Sequence, residues 1–170
     1  MIGTASDDPD AFNDDTVAAL PIDLRDGSSL ATSTSQLRNP RTVEEAQAFV
    51  ARVEALFMPW NIPALLDGFT DDCIIRFGDI PEFRGRAALE RLFRARSERQ
   101  RNYQLRKEFG ALMDDTIANY WEGEWEDRVT GARMAGRGVE IWVMRDGHIA
   151  VWEAAFNLNE VGKPSAMELV

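Results

Sequence analysis

Ile117-Ala118-Asn119-Tyr120-Trp121-Glu122-Gly123-Glu124-Trp125-Glu126-Asp127 carries the fold in its period. Ile117, Trp121 and Trp125 occupy one set of alternate positions, and Tyr120, Glu122, Glu124 and Glu126 the other. A period of two with one apolar and one acidic face is a strand buried on one side and wet on the other. The flanking stretches continue the pattern. Tyr103 to Met113 alternates, with Tyr103, Leu105, Phe109, Ala111 and Met113 on one face. After the turn signal Thr130-Gly131 comes a third long strand, Arg133 to Met144. Asp146-Gly147 then turns the chain into a fourth, Ile149 to Leu158.

Upstream of this run the signals are helical. Thr42-Val43-Glu44-Glu45 is a capping box, with Thr42 accepting from the N3 amide and Glu45 reaching back. Ala46, Phe49, Val50, Val53 and Phe57 follow at helical spacing, and Pro59 marks the end. Asn61 and Pro63 start a short second helix that runs through Leu65 and Leu66 to Gly68. Asp71-Asp72 leads into a strand, Cys73 to Phe77, and residues 78–85 read as a loop. A third helix is expected from about Arg86 to Arg99, with Leu89, Leu92 and Phe93 on its buried face. Three N-terminal helices packed against a curved, mainly antiparallel sheet make an α+β domain.

Composition narrows the chemistry. A chain of 170 residues with 45% apolar and 28% charged residues is one globular domain, with a core of useful size. One histidine and one cysteine cannot build a His/Cys zinc site or an intrachain disulfide, and a lone cysteine suits a reducing, cytoplasmic setting. His148 sits in the turn Asp146-Gly147-His148, a poor place for a nucleophile's partner. Nineteen basic against 29 acidic residues leave a net charge of −10, which argues against nucleic acid and anionic membranes as partners. No stretch approaches the roughly 18 apolar residues of a membrane span. Asp7, Asp8 and Asp10 stand where a leader would need basic residues. Residues 1–40, with seven aspartates against Arg25 and Arg38 and a Ser/Thr tract, are expected to be a flexible acidic arm. The domain itself is expected over 41–160, followed by a tail, 161–170.

Several strings in this order resemble the SnoaL-like branch of the nuclear transport factor 2-like superfamily. Phe69-Thr70-Asp71-Asp72-Cys73-Ile74-Ile75 looks like its first-strand entry, and Phe83-Arg84-Gly85-Arg86 like the start of its third helix. Gly138-Val139-Glu140-Ile141-Trp142 followed by Asp146-Gly147-His148-Ile149 looks like its final hairpin. The central stretch Asn102 to Glu108, with Glu124-Trp125, is most similar to an uncharacterised group within the superfamily. The likeness spans about residues 42–159. It implies a cone-shaped half-barrel closed by helices, a pocket in the wide end and frequent homodimers through the outer sheet face. Members include ketosteroid isomerases, polyketide cyclases, epoxide hydrolases, dehydratases and domains that only bind. The isomerase base would fall at Phe77, with Asp79 as the nearest carboxylate. The cyclase pair resembles Trp152-Glu153, although the ungapped match puts Ala154 at the carboxylate position. An Asp-Arg-Asp set of the epoxide-hydrolase kind has candidates in excess.

Strand alternation gives an independent route to the site. If Tyr103 and Leu105 point inward, Lys107 does too, and on the next strand Asn119, Trp121, Gly123, Trp125 and Asp127 share the inner face. On the third strand Glu140 goes with Trp142 and Met144, while Val139, Ile141 and Val143 make the opposite face equally apolar. The resulting constellation is Lys107, Asn119 and Glu140 walled by Trp60, Phe77, Trp121, Trp125 and Trp142. Arg84 and Arg86 are expected to flank its mouth. The remaining arginines between Arg91 and Arg106 read as a solvated face. Two readings follow for the site. In one, a small-molecule pocket runs acid/base chemistry without a cofactor, with Glu140 as proton carrier, Lys107 and Asn119 as stabilisers and Asp79 as a substitute base. In the other, Lys107–Glu140 is a buried ion pair in a non-catalytic binding or dimerisation module, and Trp121 and Trp125 fill the cone. An interaction protein working through the acidic arm is a third possibility. No Gly-rich phosphate loop and no metal-ligand spacing occurs, so neither cofactor nor metal is expected.

Overall fold

Thr42 begins the first helix as the sequence requires. In a computed structural model that describes residues 38–78 and 80–163, its side chain caps helix α1 (Val43–Ala55) by accepting from the Glu45 amide. Glu45 reaches back one residue further than the capping box implies, to the Arg41 amide at 2.7 Å. Asn61 caps α2 (Ile62–Asp67) in the same way, through the Ala64 amide. Then come β1 (Phe69–Phe77), β2 (Ile80–Arg84), α3 (Arg86–Arg99), β3 (Gln100–Met113), β4 (Thr116–Asp127), β5 (Arg133–Arg145) and β6 (His148–Glu160). Of the arm expected over residues 1–40, residues up to 37 lie outside the described residues, as does the tail from 164 onward. The end of the arm is corrected: Asn39 is buried, donating to Asp115 at 2.7 Å and accepting from the Gly147 amide at 2.8 Å.

The six strands form one sheet in the order β2-β1-β6-β5-β4-β3, antiparallel throughout except where β1 meets β6. The β5–β6 hairpin closes on Asp146-Gly147, both with positive φ (52° and 76°), as a two-residue turn of the twist-compatible kind requires. One face of the sheet is covered by the helices. Phe49 of α1 meets Trp142 of β5 edge-on at 5.9 Å, and Phe93 of α3 packs near Phe69 and Trp152. Helix α1 and the turn that follows it also protect the free edge of β3. Glu54 accepts from the Lys107 amide, and Met58 Sδ accepts from the Leu105 amide at 2.9 Å.

Two local expectations are corrected. Residues 80–84 are a strand, not part of a loop: Ile74 and Ile75 pair with Arg84 and Phe83. The segment lacks a buried alternation because it is a short outer strand, and an edge position tolerates Pro81. The second correction concerns the end of β3. Its register against β4 shifts between Phe109 and Ala111, and the bulge reverses the faces beyond it. Leu112 therefore turns inward, while Ala111 and Met113, expected inside, are exposed. A side chain at Gly110 would sit 3.2 Å from the Ala118 carbonyl oxygen, so the bulge falls at a residue that can approach its neighbour closely.

Candidate active site

The alternation of β4 places Asn119, Trp121, Trp125 and Asp127 on the concave face, and that of β5 places Glu140 and Trp142 there. The competing face of β5 is decided too: Val139, Ile141 and Val143 are exposed. Lys107 reaches this face from β3, before the bulge. Across the sheet, Asn119 is registered opposite Glu140, and Glu140 opposite Ala154. A lysine and a carboxylate thus meet on neighbouring inner rows.

Their geometry is close and dry. Lys107 Nζ donates to Glu140 Oε2 at 2.6 Å, with side chains only 2% and 5% exposed. Trp142 Nε1 donates to the same oxygen at 3.0 Å, and the Lys107 ammonium lies 5.2 Å from the Trp142 ring centre. Asn119 Oδ1 stands behind at 3.5 Å from Nζ, and its Nδ2 makes no hydrogen bond among the described residues. Burial pushes the Lys107 ammonium below its ordinary value. The charge and hydrogen bond of Glu140 pull it back up, and the charge of Arg96 lowers it further. Glu140 Oε1 has no hydrogen-bond partner among the described residues, so one carboxylate oxygen is pinned and the other is unengaged.

The pair stands in the wall of a cavity of about 500 Å³. Phe77, Trp121 and Trp125, all named from the sequence, line it, so the tryptophans wall the cone and do not fill it. Trp142 and Asn119 are almost completely buried behind the wall and hold the pair in place. Trp60 lies outside the lining, stacked on Tyr103 at 5.6 Å. Arg84 is not at the mouth either. It is exposed on β2, paired with Glu82, and Arg86 is spent on the Phe69 carbonyl and Asp71. Asp79 lies outside the described residues. Glu153 points outward toward Arg76, and Ala154 takes the inner position opposite Glu140. Among the described residues the His148 ring is hydrogen-bonded only to the Asp146 carbonyl of its own turn, and Cys73 is fully buried.

The sequence reading missed a second polar cluster in the same cavity. Arg99 donates to Asp127 at 2.6 Å, and Arg96 donates to Tyr103 Oη and Gln100 Oε1, both at 3.3 Å. The Thr130 amide, and after it Arg99, hold the Asp127 carboxyl below its usual range. Burial raises the Tyr103 phenol above its usual value. A signal existed: Leu89, Leu92, Arg96 and Arg99 follow one another at helical spacing, so the stripe that buries the leucines carries the arginines into the cavity. Among the described residues no three His, Cys, Asp or Glu side chains are grouped to hold a metal ion, and no helix is long and apolar enough to cross a membrane.

A curved six-stranded mixed sheet with helices on its concave face is the SnoaL-like version of the nuclear transport factor 2-like fold. Within it the chain belongs to the family described as "Protein of unknown function (DUF1348)", whose profile matches residues 39–165. The epoxide hydrolase/cyclase-like enzyme SalBIII, of pyran ring formation in the polyether salinomycin, superposes with a TM-score of 0.62 at 15% identity. That match covers 69% of this chain and 96% of SalBIII. AusH from Aspergillus nidulans superposes at 0.60 and 16% identity, over 69% and 87% of the two chains. An M. tuberculosis LEH-like epoxide hydrolase does so at 0.57 and 16%, over 67% and 84%. At such identities the likeness is one of fold. No curated protein matches the sequence significantly.

Proposed function

We propose that the cavity binds a small, largely apolar molecule and that Glu140 moves a proton on it, in a reaction of the isomerase, cyclase, dehydratase or hydrolase type. The observation that carries this reading is a desolvated Lys107–Glu140 pair in the wall of an open, aromatic-lined cavity. Glu140 Oε2 is held by Lys107 and Trp142, which leaves Oε1 to take a proton from a substrate C–H or O–H. As the proton arrives, the negative charge moves from Glu140 to the substrate oxygen. Lys107 then has a new anion to stabilise, so the buried ammonium is never without a partner. Asn119 and Trp142 act as positioning residues, because both lie behind the wall.

The test separates proton transfer from binding. Small cyclic ketones are screened by quenching of tryptophan fluorescence, and those that bind are incubated in D2O and followed by NMR. Deuterium should enter beside the carbonyl with the native protein, and Glu140→Gln, once its tryptophan fluorescence shows it folded, should stop the exchange while leaving binding within a few-fold. Binding with no exchange on any ketone would refute the acid/base role. It would favour a non-catalytic binding module, a reading supported by how completely Lys107 and Trp142 satisfy Glu140 Oε2.

The outer sheet face bears on assembly. Tyr120, Val139, Ile141 and Val143 are exposed and adjacent in the β4–β5 register. Such an apolar stripe supports a homodimer that covers this face.

A further inference from the structure

The charges in the cavity wall do not balance. Arg99 is answered by Asp127 and Lys107 by Glu140, each at 2.6 Å, and Arg96 is left over. Its contacts are neutral: the Tyr103 hydroxyl, the Gln100 amide oxygen and the faces of Trp60 and Tyr103, whose ring centres lie 5.5 and 5.8 Å away. Among the described residues Arg52, Arg91, Arg128 and Arg137 also lack a carboxylate partner, but all four are exposed on the surface, where water solvates them. Arg96 is half-buried, faces a cavity, and does so in a chain whose net charge is −10. Two aromatic rings within about 6 Å help hold its guanidinium in place in advance, and its 3.3 Å hydrogen bonds are long enough to be exchanged for better ones.

We infer that the ligand of this cavity carries one anionic oxygen group, a carboxylate, which binds on Arg96 while the apolar body lies against Trp121, Trp125 and Phe156. This rests on the cavity being the binding site proposed above. A carboxylate meets a planar guanidinium with two parallel hydrogen bonds, and in a partly desolvated site that match discriminates strongly against a neutral analogue. The geometry also orients the ligand: one end is held by the arginine of α3, and the other is presented to Lys107 and Glu140 on β3 and β5. The charge of Arg96 is felt at Lys107, so an anion bound at the first would be sensed at the second.

The probes are 2-naphthoate, ionised at pH 7, and its neutral isostere 2-naphthamide, titrated calorimetrically into the full chain. Native protein should bind the naphthoate roughly tenfold or more tightly than the amide, as expected for a charged hydrogen-bonded contact. Arg96→Gln should abolish the preference by weakening the naphthoate alone, and Arg96→Lys should restore part of it. Arg84→Gln, on the exposed outer strand, should change neither. The amide serves as the folding control, because its unchanged affinity reports an intact cavity in each variant. Equal affinities in the native protein, or an Arg96→Gln loss shared by both probes, would overturn the inference and leave the pocket standing. If neither probe binds the native protein, the pocket reading fails and takes this inference with it.

Discussion

Glu140→Gln keeps the shape of the side chain and removes the charge that answers Lys107. With that lysine side chain only 2% exposed, the variant has two ways to fold. It can keep the ammonium without a counter-ion, at a cost of about 3–5 kcal/mol. It can instead shed the proton. Taking a lysine from its ordinary 10.5 to below 7 costs about 5 kcal/mol at pH 7, at roughly 1.4 kcal/mol per unit. The loss at pH 7 is therefore bounded near 5 kcal/mol, comparable with the whole stability of many domains. The two routes differ in pH dependence. If the lysine folds neutral, the unfolded chain binds the extra proton, so stability rises with pH by about 1.4 kcal/mol per unit. The deficit then disappears as pH approaches the unfolded lysine's value. The native protein has the same sign more weakly, because Glu140 pulls the lysine back up. Urea titrations followed by tryptophan fluorescence at pH 7, 8 and 9 measure this directly. Lys107→Met should also be costly, since it strands the carboxylate. The double variant should cost less than the sum of the two single losses, by a coupling of about 3 kcal/mol. A Glu140→Gln loss under about 1 kcal/mol with no rise between pH 7 and 9 would refute the reasoning, because Lys107 would then be solvated and the pair not sealed in the wall.

Three further outcomes follow from the geometry. Gly138→Ala would drive a methyl group into the Ala155 carbonyl oxygen and place it 2.6 Å from Phe156 Cβ, so β5 and β6 must part; a loss of about 2–3 kcal/mol is expected in urea, and a loss below about 0.5 kcal/mol would show that the sheet yields freely. Glu153→Gln removes only an exposed contact to Arg76 at 3.6 Å, so stability should stay within about 0.5 kcal/mol and any proton exchange should be unaffected. Ile141→Glu with Val139→Glu places two charges on the exposed apolar stripe; light scattering after gel filtration should show a dimer become a monomer, and an unchanged mass would remove this face as the interface.

The helix starts and strand faces were legible because their signals are local. Thr42 and Asn61 cap the helices they were read to cap, and Trp121, Trp125 and Glu140 share a face because a period of two needs no knowledge of neighbours. The Lys107–Glu140 pairing was legible for the same reason, once the strands of both residues were read as flanking the Trp121–Trp125 strand. What failed locally depended on a partner. Residues 80–84 look like a loop until β1 supplies hydrogen bonds, and Met113 looks buried until Gly110 accommodates a bulge against Ala118 and turns the strand over. Trp60 and Arg84 show the limit from the other side. Being aromatic or basic near the right elements did not put them in the lining.

Caps, periods and charges that act within a few residues of the chain are thus written in the order of the amino acids, and with them the α+β class and the inner rows of the sheet. The cavity is of another kind, because it is the volume that α3 and six strands leave between them. No stretch of chain encodes that volume. Only packing decides that Arg99 finds Asp127 there and that Arg96 finds no carboxylate among the described residues.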